Sequence, residues 1–130
     1  MSKAVINIIG GAVKSLGLEY GFGEYAGDSN GNIKYPYWVG SYSEIEPYTE
    51  DGLQETTFML TGFSRGSWAD LEADKEKIEN HFNRTSGKVG ITSSGSAVAI
   101  FYAQALIVPT GDAELKSIQI NLSVKEWKVN

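Results

Sequence analysis

The segment that most constrains this chain lies near its C-terminal end. Ile118, Ile120, Leu122 and Val124 alternate with Gln119, Asn121, Ser123 and Lys125. An alternation with a period of two puts every apolar side chain on one face of an extended strand. A half-buried strand over 115–129 follows, and with it a sheet that has one covered face. The alternation slips at its end, because Trp127 and Val129 take the opposite parity. A bulge or a second buried face accounts for such a slip. The preceding apolar run, Ala97 to Val108, is apolar on both faces, as expected of a central strand.

Two more strands read from the middle of the chain. Residues 37–46 place Trp38, Gly40 and Tyr42 on one face, and Val39, Ser41, Ser43 and Ile45 on the other. Pro47 to Gly52 carries turn chemistry with an Asp-Gly hairpin signal. Residues 53–64, rich in Thr and aromatics, make the return strand. A short additional strand fits 88–92. Two helices frame these strands. Over residues 2–16, Val5, Ile8, Ile9, Ala12 and Leu16 follow helical spacing, with Ser2 as cap and Gly17 just past the end. Gly10 and Gly11 inside it point to close backbone packing or a break, since each costs about 1 kcal/mol relative to alanine. From Ser67, with Asp70 three residues on, Trp68, Leu71, Ile78 and Phe82 share a face. The expected fold is α+β: a mostly antiparallel sheet of four to five strands with two helices packed on it, in the order α-β-β-α-β-β, as a single domain over residues 1–130.

Composition removes several function classes. Among 130 residues there is no Cys and one His. Thiol chemistry, disulfides and a multi-histidine metal site are therefore excluded. The formal charge is −5, which disfavours generic nucleic-acid binding. That charge is unevenly spread. Residues 44–79 hold ten acids against three bases, and the remainder holds six acids against eight bases. The ordinary account is an acidic hairpin and a solvated helix face; the sharper one is a one-signed surface facing a partner or a pore. Residues 4–13 are apolar but too short to span a bilayer, and read as an amphipathic helix rather than a leader. The expectation is a cytosolic chain with no membrane role.

Residues 17–36 form a long glycine and aromatic loop within the domain. It exposes Tyr20, Phe22 and Tyr25 to a partner, or folds back over its own sheet; the sequence supports both readings equally. Gly21-Phe22-Gly23 lacks the context of a phosphate loop. Asp28-Ser29-Asn30-Gly31-Asn32 begins like a calcium loop, but Ile33 and Val39 stand where that loop needs Gly and Glu. A tight turn is the better reading. His81 sits near the end of the acidic helix, and Ser93 has no nucleophile elbow around it. Neither, with the scattered carboxylates, makes an active site. Arg65, flanked by Phe63-Ser64 and Gly66-Ser67, suits bidentate pairing with carboxylates of its own chain or a neighbour's.

One succession of residues resembles a known family. Tyr35-Pro36-Tyr37-Trp38-Val39-Gly40 is followed by Glu46-Pro47-Tyr48-Thr49-Glu50-Asp51-Gly52. Then come Thr57-Phe58-Met59-Leu60-Thr61-Gly62-Phe63-Ser64-Arg65-Gly66-Ser67-Trp68 and Leu71-Glu72. This is similar to the tail terminator, or tail-completion, proteins of long-tailed bacteriophages and prophages, of the minor tail protein U type. The similarity covers about residues 35–83; beyond them, only strand order and length agree. It implies a structural virion protein, not an enzyme, with no cofactor and no metal. It implies a homo-oligomeric ring, typically a hexamer, that stacks on the tail-tube protein, stops tube growth and offers a surface to the head-tail connector protein. DNA would pass through without specific binding. The implied location is the tail end near the neck in the virion, and the host cytoplasm during assembly. Tyr20, Phe22, Tyr25, Arg65 and Trp127 are the candidate subunit or partner contacts. Glu46, Glu50, Asp51 and Glu55 are the candidate acidic channel-facing surface. The alternatives are another neck or head-tail joining component, or a small α+β enzyme or ligand-binding module.

Overall fold

A computed structural model describes residues 1–44, 53–83, 87–92 and 95–127. Helix α1 spans Lys3–Ser15, with β1 at Glu19–Phe22, β2 at Tyr37–Ser43 and β3 at Leu53–Arg65. Helix α2 spans Trp68–His81, followed by β4 at Lys88–Ile91, β5 at Ala97–Ile107 and β6 at Leu115–Trp127. The fold is α+β, as expected. The sheet, however, has six strands rather than four or five, in the order β1-β2-β3-β6-β5-β4, and it is mixed. The additional strand β1 lies inside the glycine-rich segment and pairs parallel with β2. Parallel neighbours need a crossover of a dozen or more residues. The rest of the glycine and aromatic segment supplies it.

The long pair β3–β6 is the axis of the sheet, antiparallel from Leu53↔Trp127 to Arg65↔Leu115. Along both strands the even-numbered residues turn to one face, the inner one, where Phe58, Leu60, Ile118, Ile120, Leu122 and Val124 are buried. Both helices cover that face. Val5, Ile9 and Val13 of α1 and Leu71 and Ile78 of α2 join the same hydrophobic cluster. Ser2 caps α1, accepting from the Val5 backbone N–H at 3.4 Å, and Ser67 caps α2, accepting from that of Ala69 at 3.1 Å. Each cap satisfies a donor that the first helical turn leaves open. Gly10 faces the Tyr20 ring, which a Cβ there would meet at 3.1 Å, whereas Gly11 faces open space. One of the two helical glycines is thus a packing requirement.

The slip at Trp127 comes from neither a bulge in that strand nor a second buried face, and Val129 lies outside the described residues. β6 keeps its register to the end, so the inward position after Val124 falls to Glu126, which is 1% exposed. Trp127 turns outward. The irregularity sits instead in β5, between Tyr102 and Gln104. Nor is β5 central. It is next to the edge, with Ile100 and Tyr102 buried on the inner face while Leu106 and Ile107 near its end are exposed. The helix over 68–81 also presents its apolar residues unequally: Leu71, Ile78 and Phe82 are buried, but Trp68 is exposed.

Candidate interaction surface

Because both helices lie on the inner face, the outer face of the sheet has no helix layer. Odd-numbered residues of β3 and β6 point there. At one end, an aromatic group gathers where β1, β2 and β3 meet. Tyr25 stacks on Tyr37 with ring centroids 4.6 Å apart, and Tyr37 stacks on Phe63 at 5.2 Å. Tyr35 tilts against Tyr37 at 5.4 Å. Tyr25 also donates to the Glu19 carboxylate at 2.9 Å. These contacts fold the glycine and aromatic segment back over its own sheet. Its turn is closed by Asp28, whose Oδ1 accepts from the backbone N–H groups of Asn30 and Asn32 at 2.9 and 3.0 Å. Those bonds hold the Asp28 carboxyl below its usual range and commit the carboxylate to the turn.

Arg65 closes this end of the sheet. Its Nε donates to the Tyr35 hydroxyl at 3.4 Å, its guanidinium lies 5.8 Å from the Tyr35 ring centroid, and one Nη reaches Asp112 at 3.5 Å. The pairing is single, not the bidentate fork expected of it. At the opposite end, Ile91, Ala97 and Trp127 stand side by side on adjacent strands, and Val89, Ala99, Lys125 and Glu55 form the next row. Val89 is 76% exposed, Ile91 77% and Trp127 37%. Arg65 and Trp127 lie at opposite ends of a pairing that spans roughly 40 Å at ~3.3 Å per residue. They therefore belong to different patches.

The remaining candidates separate likewise. Tyr20 turns inward, with its ring against Gly10 and its hydroxyl over Gly40. That hydroxyl has no hydrogen-bond partner among the described residues, and burial pushes its pKa up to about 12. Phe22 lies on the inner side of the sheet edge, 43% exposed, 6.2 Å from Tyr42 and 6.1 Å from Phe58. Glu55 is exposed on the outer face with its Oε1 4.0 Å from Lys125 Nζ. Glu46, Glu50 and Asp51 lie outside the described residues, as does Ser93. The acidic stretch is also divided by the sheet, with Glu55 on the outer face and α2 packed on the inner. His81 meets Phe82 edge-on at 4.7 Å, and burial, then Lys88, lowers its pKa.

Open grooves occur among the described residues. One, of about 520 Å³, is lined by Lys14, Glu19, Tyr25, Asp28 and Lys34. Another, of about 420 Å³, lies between Trp68, Ile107, Pro109 and Leu115. Among the described residues no cluster of three His, Asp or Glu is arranged to hold a metal ion, and no helix is long and apolar enough to cross a membrane. Comparison with protein-family models gives no match, and neither does comparison with curated proteins.

Three features do not follow from the sequence reading. The short strand expected over 88–92 is present as β4, but four residues do not say that Val89 and Ile91 stand exposed. Glu126 was legible in principle, since it occupies the next inward position after Val124. The Tyr35–Arg65 contact joins residues 30 positions apart and left no local signal.

Asp74 offers a test of the inner face by pH. Its Oδ2 accepts from Trp38 Nε1 at 3.2 Å. Burial nevertheless pushes its carboxyl above the ordinary value, and the Trp38 bond only partly opposes this. A raised carboxyl pKa means the folded chain holds the proton more tightly than the unfolded one. Stability is then greatest in acid, below the unfolded value of about 3.9, and declines as pH rises through the folded value. Asp74→Asn keeps an acceptor for Trp38 and removes the charge. The expected result is a higher urea midpoint at pH 7 and no gain at pH 3. An equal loss at both values contradicts the burial argument.

Proposed function

We propose that this chain is a structural ring protein that ends the tail tube of a long-tailed phage or prophage. In this reading several copies, typically six, assemble into a ring on the last ring of tail-tube protein. They halt its growth and present a surface to the head-tail connector protein. The observation that carries the reading is the residue succession from Tyr35 to Leu71-Glu72, which supplies β2, β3 and the start of α2. A second observation supports it. An outer sheet face without a helix layer, with Trp127, Val89 and Ile91 exposed on it, suits contact with further protein. The work done is assembly rather than catalysis, in the host cytoplasm first and at the tail end of the virion afterwards. DNA passes the ring's acidic surface without being held.

The test is assembly in vitro. Tail-tube protein of the same phage is polymerised with and without this chain, and tube lengths are measured by negative-stain microscopy. Added chain is expected to give shorter tubes with a distinct ring at one end. Unchanged tube length, with this chain monomeric by light scattering and unbound to tubes, contradicts the reading.

A further inference from the structure

We propose that neighbouring copies of this chain join edge to edge, β4 of one copy adding in parallel to β1 of the next. The inference rests on the ring reading and names the contact that closes the ring.

β1 and β4 are the two edges of the sheet. Each is four residues long, and beyond its one neighbour neither makes a backbone hydrogen bond among the described residues. Open edges are templates for a further strand unless they are blunted by shortness, charge, proline or a bulge, and here shortness is the main one of these present. β4 has one charge, Lys88, and exposes all four residues. Direction decides how two edges meet. β1 runs parallel to β2, and each later pairing across the sheet is antiparallel. β1 and β4 consequently point the same way. Copies related by rotation about an axis along the strands bring β4 beside β1 in parallel, a head-to-tail contact that closes into a ring. A two-fold contact pairs β4 with β4 instead.

Side-chain chemistry favours the head-to-tail arrangement. On the inner face β4 offers Lys88 and Gly90, and β1 offers Tyr20 and Phe22. Nothing lies within 4 Å of where a Gly90 Cβ would stand, and Phe22 is a large, exposed ring. Set beside Gly90, Phe22 covers the bare backbone of an edge glycine, a recognised stabilising pair in sheets. The same register puts Val89 beside Gly21, whose outer side is roofed by the Glu24 carbonyl and Tyr25 Cα. That roof gives Val89 a surface to pack on. The two edges also differ in charge, with Glu19 and Glu24 near the β1 edge and Lys88 on the β4 edge.

The chain has no cysteine, so crosslinking reads the contact directly. Phe22→Cys and Gly90→Cys are placed in one chain and oxidised mildly, with tail-tube protein present. The expected result is a covalent ladder on a non-reducing gel, whose top rung counts the copies in the ring. Mixed single variants are expected to give the Phe22→Cys/Gly90→Cys dimer, and neither alone. Dimer from Gly90→Cys alone overturns the proposal in favour of a two-fold contact. Oligomers by light scattering without any ladder also overturn it, while leaving the ring reading intact. Absence of oligomers altogether removes both. Val89→Lys with Ile91→Lys gives a second measure, because both side chains are exposed and the fold does not depend on them. It is expected to return the protein to monomer at concentrations where the native chain is assembled, with unchanged circular dichroism. Full assembly of that variant overturns the proposal.

Discussion

Trp38→Ala is expected to cost about 3–5 kcal/mol of folding stability, read as a fall in the urea midpoint without loss of cooperativity. The ring is fully buried. It fills the space between β2, β3 and α2, and the sequence leaves room for it at one position. A Cβ on Gly62, directly across the β2–β3 pair, would stand 2.7 Å from the Trp38 ring. Above the ring, Asp74 accepts from its indole N–H. Truncation therefore leaves a cavity and takes the donor from a carboxylate that burial already strains. The converse change, Gly62→Ala, pushes a methyl into the same ring and is expected to cost about 1–3 kcal/mol. The two changes are coupled. In a Trp38→Leu background the cost of Gly62→Ala should shrink by more than half, because the atoms it strikes are gone. Additive effects in that cycle, or a Trp38→Ala loss under about 1 kcal/mol, contradict this packing.

The same pairing shows what could be read from the chain and what could not. The strands legible beforehand carry their own pattern: the alternation over 118–124, the Thr-rich return strand after Asp51-Gly52, and Ser67 in front of an acidic helix. Each is local, set by residues within a few positions of one another. β1 had no such pattern. Glu19–Phe22 is short, contains a glycine, and is a strand only because β2, some eighteen residues on, lies beside it. The aromatic segment was undecided for a related reason. Tyr25 and Tyr35 are spoken for by Tyr37 and Arg65, and only the folded sheet brings those groups together. Candidate contacts chosen for their residue type then scattered: Tyr20 into the interior, Arg65 and Trp127 to opposite ends of the outer face. Residue type identifies what is sticky; the register decides which face it occupies.

Glu126 is the clearest conflict between register and residue type, and Glu126→Leu is expected to raise stability by about 1–3 kcal/mol. β6 cannot slip to free it. Its pairing with β3 is unbroken over thirteen residues, and a one-residue shift would turn Ile118, Ile120, Leu122 and Val124 outward. One carboxylate is thus held inside by four aliphatic side chains. It lies 1% exposed, across from Val98 on one side, and its Oε2 has no hydrogen-bond partner among the described residues. Burying a carboxyl group without its full set of hydrogen-bond partners costs free energy. Leucine continues the aliphatic row at similar volume and removes that cost. Glu126→Ala separates the effects, since it removes the charge but leaves a cavity. The leucine variant should exceed both the native chain and the alanine variant in urea midpoint at pH 7. A leucine variant less stable than the native chain shows instead that the carboxylate is satisfied in the folded state.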